Sequence, residues 1–119
     1  DFCVGLTSIQ QADVDSAPKF PQAFAAFLSW ASPCDGFASW GKYDRQQFER
    51  DCRLHKKRYP FKWHCNFAGV TKNELGMMNQ RRVLNALGIE RTGTHHRGND
   101  DARTIASMAI ALLHRGWQP

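Results

Sequence analysis

His96-Arg97-Gly98-Asn99-Asp100-Asp101-Ala102-Arg103-Thr104-Ile105-Ala106 is the stretch from which the rest of the chain is best read. A polar loop from Arg91 to Gly98 leads into a run with helical periodicity, Asn99 to Arg115, which Gly116 ends. Ile105, Met108, Ala109 and Leu112 fall on one stripe of that helix, and Asp101 lies on the same stripe, one turn ahead of Ile105. A carboxylate on the face that a helix buries is costly unless it is paired or binds a cation. His96 stands five residues before Asp101, in the entering loop. Asp100 and Asp101 also suit any helix N-terminus through the macrodipole, so a plain capping role stands beside cation binding.

Upstream, a turn at Cys34-Asp35-Gly36 precedes Phe37-Ala38-Ser39-Trp40, a short candidate strand that Gly41 breaks. Asp44 follows where an N-cap belongs, with Gln47 three residues on. The helix from there is expected to reach about Tyr59, ahead of Pro60. Phe48, Cys52 and Tyr59 mark its buried side, and Arg50, Arg53 and Lys57 line another face. Asp44 is thus either a cap or a ligand. An acid at a strand-to-helix junction, an acid in a helix's first turn and a histidine in the preceding loop can converge on a metal. Oxygen donors of this kind favour magnesium or manganese.

The remaining elements are shorter. Thr7-Ser8-Ile9-Gln10 has the capping-box form, which predicts Thr7 as N-cap of a helix ending before Pro18. A second helix is expected from about Pro21, burying Phe24, Phe27 and Leu28, with Pro33 after its end. Phe61 to Phe67 reads equally as strand or loop. Met77 to Leu87 predicts a helix that turns Val83, Leu84 and Leu87 inward and stops at Gly88.

With 119 residues, 42% apolar and 23% charged, the composition is that of one globular domain rather than a disordered or fibrous chain. No apolar run approaches the roughly 20 residues of a membrane span, and no leader pattern supports secretion. The chain opens at Asp1 rather than Met, so a preceding segment is expected. The net charge is +5. Between Lys42 and Lys62 eight bases (Lys42, Arg45, Arg50, Arg53, Lys56, Lys57, Arg58, Lys62) face three acids (Asp44, Glu49, Asp51), which suits either phosphate binding or a solvated helix face. Cys3, Cys34, Cys52 and Cys65 form no CxxC pair, so reduced thiols and a cytoplasmic location are expected. A zinc cluster of Cys52, His55, His64 and Cys65 can be drawn, but adjacent ligands such as His64 and Cys65 converge poorly on one ion.

The motifs together resemble those of the DEDDh-type 3′–5′ exonucleases of the ribonuclease-H-like superfamily. The stretch from His96 to Ala106 resembles their third motif, in which a histidine precedes a metal-binding aspartate by five residues. Ser39-Trp40-Gly41-Lys42-Tyr43-Asp44 is similar to the second, where a strand ends in Gly-x-x-Asp. Leu6-Thr7-Ser8-Ile9-Gln10, then Asp13-Val14 and Ala17-Pro18, is similar to the family's Leu-Thr-Gly-Ile, Asp-Val and Ala-Pro stretch. The resemblance covers nearly the whole chain and points to the branch holding histone-mRNA and small-RNA exonucleases and sporulation-inhibitor homologues. Asn99 departs from the usual apolar residue. The first motif, a strand bearing Asp-x-Glu, is missing, and Asp13-Val14-Asp15 is no substitute because it sits in a helix-to-loop stretch.

The resemblance implies an α/β fold of the ribonuclease-H-like type, helix-rich, with a reduced mixed sheet of one or two strands. Residues 1–119 would be the C-terminal two-thirds of the domain. The implied reaction releases nucleoside 5′-monophosphates from the 3′ end of single-stranded RNA or DNA, RNA favoured, with two magnesium or manganese ions in the complete domain. Asp101 would be a direct metal ligand, Asp44 a ligand held partly through water, and His96 the general base, since histidine changes charge near neutral pH. Arg50, Arg53 and Lys57 would contact the nucleic acid. Arg97 and Arg103 would meet phosphate or solvent. The alternative is a non-catalytic nucleic-acid-binding or protein-interaction module without the metal centre, and no membrane partner is implied.

Overall fold

The structure is a computed structural model and describes residues 2–94 and 96–119. The chain divides into two compact units. One comprises residues up to Ala38 with Lys42–Cys65, and the other Ser39–Gly41 with Asn66–Pro119.

In the first unit, α1 spans Phe2–Thr7, α2 Gln11–Asp15 and α3 Phe20–Ala31. The expected capping box is displaced. Thr7 closes α1 instead of opening a helix: its hydroxyl donates to the Cys3 carbonyl at 2.8 Å, and Ser8 turns left-handed (φ 57°). Gln10 is the N-cap of α2, its amide donating to Asp13 Oδ2 at 2.8 Å. α3 buries Phe24 and Ala31. Phe27 is only half-buried, and Leu28, expected inside, is exposed.

Strand β1 (Gly36–Ser39) and strand β2 (Trp63–Asn66) pair as a small parallel sheet, joined by α4 (Tyr43–Leu54) as a crossover. The N-cap of α4 is Lys42 rather than Asp44, which is its second residue and lies in the positive first turn. α4 is also shorter than expected. It stops at Leu54 because Lys56 turns left-handed (φ 52°), letting the amides of Lys56 and Lys57 donate to Arg53 and Cys52 at 3.1 and 2.8 Å. That is a Schellman cap with lysine where glycine is usual. Lys57 therefore leaves the helical face that holds Arg50 and Arg53, both exposed. Cys52 is buried, and Phe48 is the centre of an aromatic cluster: Phe24, Phe27, Tyr59 and Phe61 have ring centroids 5.9, 5.5, 5.7 and 6.2 Å from it.

The second unit is helical. It holds α5 (Phe67–Leu75), which the sequence pattern did not predict, α6 (Gln80–Leu87) and α7 (Gly98–His114). α6 packs against both α5 and α7. Val83, Leu84 and Leu87 are buried as expected, together with Phe67, Thr71, Met108 and Leu112. Trp117 closes the end of α7 edge-on to Phe67, ring centroids 5.8 Å apart. α6 begins three residues later than expected, because the Asn79 side chain caps it by accepting from the Arg82 amide at 3.1 Å.

Candidate active site

The N-terminus of α7 is organised by its loop. Arg97 is the N-cap, and its carbonyl accepts from the amides of Asp100 and Asp101 at 3.0 and 2.9 Å. The two adjacent acids have different partners. Asp100 reaches back to the loop, where Oδ2 accepts from the Thr94 amide at 2.9 Å, while Oδ1 lies 3.4 Å from Arg103 Nη1. Its carboxylate lies against the bare Cα of Gly93 (φ 80°), so a side chain there would collide with it. Asp101, half-buried, accepts from Arg91 instead, with Oδ1 2.9 Å from Nη1. The second guanidinium nitrogen of Arg91 donates to Oε1 of Gln80 in α6. His96, exposed, has left-handed backbone (φ 64°) immediately before the N-cap, a conformation that histidine enters more readily than most residues. The neighbouring His95 lies outside the described residues.

The other end of the motif pair begins where β1 stops. Gly41 (φ 94°) makes the turn, and its amide donates to Asn66 Oδ1 at 3.1 Å. Trp40 packs near Phe67, centroids 6.3 Å apart. Three residues on, in the first unit, Asp44 is exposed in the first turn of α4. Arg45 Nε donates to Glu49 Oε1 at 2.8 Å, which raises the guanidinium pKa. On β2 the His64 ring lies 4.7 Å from Phe37. Burial and then Arg45 hold its imidazole below the ordinary range, against the opposing pull of Asp44 and Glu49. Burial pushes the thiols of Cys52 and Cys65 up, which disfavours thiolate. The zinc cluster does not form: His55 stacks on Phe20 at 4.7 Å, and among the described residues no three His, Cys, Asp or Glu side chains gather around one point.

Kinship follows from direct comparison with known proteins. The family model for exonucleases, RNase_T, matches residues 1–109. The chain belongs to the exonuclease family. Its relatives include 3′–5′ exoribonuclease 1 of Rattus norvegicus and of Homo sapiens, each 29% identical over 99% of this chain and 38% of the relative. The chain therefore spans well under half the length of those proteins. Among solved structures, the nuclease domain of 3′hExo, a DEDDh family member bound to rAMP, superimposes with a TM-score of 0.87 at 27% identity, covering 98% of this chain and 65% of that one. A 3′-exonuclease studied for 3′-end-specific recognition of histone mRNA stem-loop gives a TM-score of 0.86 at 26% identity, over 98% and 58%. The expected DEDDh affiliation and the helix-rich ribonuclease-H-like fold hold, while the sheet among the described residues is two parallel strands rather than the mixed one expected.

DEDDh exonucleases depend on divalent metal ions, which gives the donor set of this exonuclease chain a direct test. Asp44 and Asp101 are of the right chemistry, since hard cations take carboxylate oxygens. Asp101 Oδ1 is engaged by Arg91, and among the described residues no group of three candidate ligands exists. The described residues alone do not form a divalent-cation site. Arg91, Gln80, Gly93 and Thr94 carry no signal in the sequence that marks them for the site. Arg91 and Asp101 are ten residues apart through a loop, a separation without periodicity.

Proposed function

We propose that residues 1–119 are the C-terminal two-thirds of a DEDDh-type 3′–5′ exonuclease domain, carrying its second and third catalytic motifs. The complete domain hydrolyses terminal phosphodiesters of single-stranded nucleic acid and releases nucleoside 5′-monophosphates. The observation that carries this reading is the family match over residues 1–109, within which Asp44, His96 and Asp101 stand in the family's order. RNA is favoured over DNA because one related structure contains rAMP and another concerns a histone mRNA stem-loop. His96 acts as general base and takes a proton from the attacking water. Asp101 and Asp44 are this chain's share of a two-ion magnesium or manganese centre, with the other carboxylates on a preceding Asp-x-Glu strand. Arg50 and Arg53 on α4 meet the phosphate backbone, with Lys57 beyond the end of that helix no longer in their row, as do Arg97 and Arg103 at the start of α7. A cytoplasmic location fits Cys34, Cys52 and Cys65, which are unbridged thiols.

A second reading, a non-catalytic module that binds nucleic acid or protein, is favoured by one observation, the guanidinium already seated on Asp101. The coding sequence upstream of Asp1 separates the two. A strand with Asp-x-Glu there, joined to this chain, should yield magnesium-dependent release of mononucleotides from the 3′ end of single-stranded RNA, while residues 1–119 alone release almost none. Robust release by residues 1–119 alone would overturn the division of carboxylates, and an upstream segment without the acids would favour the module.

A further inference from the structure

Past the end of α4 the chain carries three consecutive bases, Lys56, Lys57 and Arg58, all of them exposed. Both ends of this tribasic stretch are tied down. On one side the left-handed turn at Lys56 lets the Lys57 amide donate to the Cys52 carbonyl at 2.8 Å, which closes the helix. On the other, Tyr59 packs into the aromatic cluster, its ring centroid 5.7 Å from that of Phe48 and 5.9 Å from that of Phe61. The backbone is thus fixed before any ligand arrives, which lowers the ordering cost of binding. Among the described residues none of the three bases forms an ion pair, and the nearest acids in sequence are engaged elsewhere. Glu49 accepts from Arg45, and Asp51 Oδ1 accepts from the Gln47 amide at 3.0 Å. A cation at a helix C-terminus gains from the macrodipole, but that field fades within a turn and does not call for three in a row.

Asp44 and Lys56 stand at opposite ends of α4, and a rise of about 1.5 Å per residue puts about 18 Å between them. A strand stacked as in a duplex advances about 3.4 Å per phosphate, so about five nucleotides span that distance. We propose that Lys56, Lys57 and Arg58 form a second phosphate-binding station, at the far end of α4 from Asp44, for the nucleic-acid strand upstream of its 3′ terminus. The inference rests on the proposed function in taking single-stranded nucleic acid as the ligand and Asp44 as the reacting end. Ammonium and guanidinium groups on an exposed turn meet phosphates rather than base edges, so the station is indifferent to sequence. Leu54, exposed beside it, offers a bilayer too little apolar area to insert, and a flexible polyanion fits better than a membrane surface. The station rewards strands long enough to reach it.

The test follows the fluorescence anisotropy of a labelled octauridylate with residues 1–119, at low salt and without metal. Lys57→Glu with Arg58→Glu is compared with Arg81→Glu with Arg82→Glu, a pair on exposed positions of α6 that shifts the net charge equally. The first pair should weaken binding on the order of tenfold and flatten the logarithmic salt slope by about 0.7 for each phosphate released. The α6 pair should do far less. Against a triuridylate, read by competition with the octamer, the first pair should cost less than it costs the octamer. Should the reversal disturb the turn, Lys57→Gln with Arg58→Gln removes the charge alone and should show the same order of effects. Equal losses from the two pairs would reduce the effect to overall charge and overturn the proposal. Equal losses for the two lengths would overturn the placement away from the reacting end. Phosphatidylserine vesicles that lose the variant while the octamer binds it like wild type would assign the stretch to a membrane surface instead, which also overturns it. The readout is binding without turnover, so a complete domain devoid of nuclease activity would refute the proposed function while leaving this result intact.

Discussion

Asp100 and Asp101 are adjacent, chemically identical and differently employed. Asp100 ties the loop at Thr94 to the first turn of α7, whereas Asp101 pairs with Arg91. Asp100→Ala should cost about 1 kcal/mol of stability, the usual net worth of one hydrogen bond, because the bond to the Thr94 amide is exposed. It should also speed hydrogen exchange at the Thr94 amide. Asp100→Asn keeps an acceptor and should restore most of both. Equal damage from alanine and asparagine would mean that the Thr94 bond is not what Asp100 contributes. His64 supplies a second residue-scale prediction. Its folded pKa is depressed, so the unfolded chain binds more protons as the pH falls through the ordinary value of about 6.5. Its contribution is complete at pH 7.5 and is lost as the pH falls below that value. The gap in urea midpoint between wild type and His64→Gln should therefore change against wild type between pH 7.5 and pH 5.5. An unchanged gap would contradict the assignment. None of these pairings is visible in the sequence, because partners joined through loops or across elements leave no spacing to read.

At the scale of elements, legibility follows periodicity. α7, long and striped, is readable almost to the residue, and α6 is readable in its buried residues. α5 is not, because its nine residues include only a short buried set, Phe67, Ala68 and Thr71, directly after a strand. The capping box lies three residues later than its pattern suggests, since Thr7 and Gln10 satisfy the pattern by type while the backbone uses Gln10 and Asp13. α4 ends early at a left-handed lysine, which no composition rule anticipates. That early end changes the expected nucleic-acid contact. Arg50 and Arg53 remain on exposed positions of α4, and Lys57 does not continue their row. Arg50→Glu with Arg53→Glu should weaken binding of single-stranded RNA at low salt. The logarithmic salt slope should flatten by about 0.7 for each phosphate that the helix ceases to neutralise. Binding and slope unchanged by the double reversal would mark that face of α4 as merely solvated.

For the molecule as a whole, three motifs in one order identify the family, although each alone is short. The match to the family model over residues 1–109 bears this out, as does a TM-score of 0.87 to a DEDDh nuclease domain. The division into two compact units is not legible, because Ser39–Gly41 belongs to the second unit while the residues on either side of it belong to the first, and no linker of distinctive composition marks the change. Nor is the guanidinium on Asp101, whose seat depends on how the loop after α6 folds back onto α7. The measurement that bears most directly on the central claim is the rate of nucleoside 5′-monophosphate release from single-stranded RNA by the complete domain, with and without His96→Ala. If His96 is the general base, the rate should fall by roughly 10²–10⁴-fold with substrate binding little changed. A variant that keeps its rate within a few-fold of wild type would contradict the account, because residues 96–101 would then not be the third catalytic motif at work.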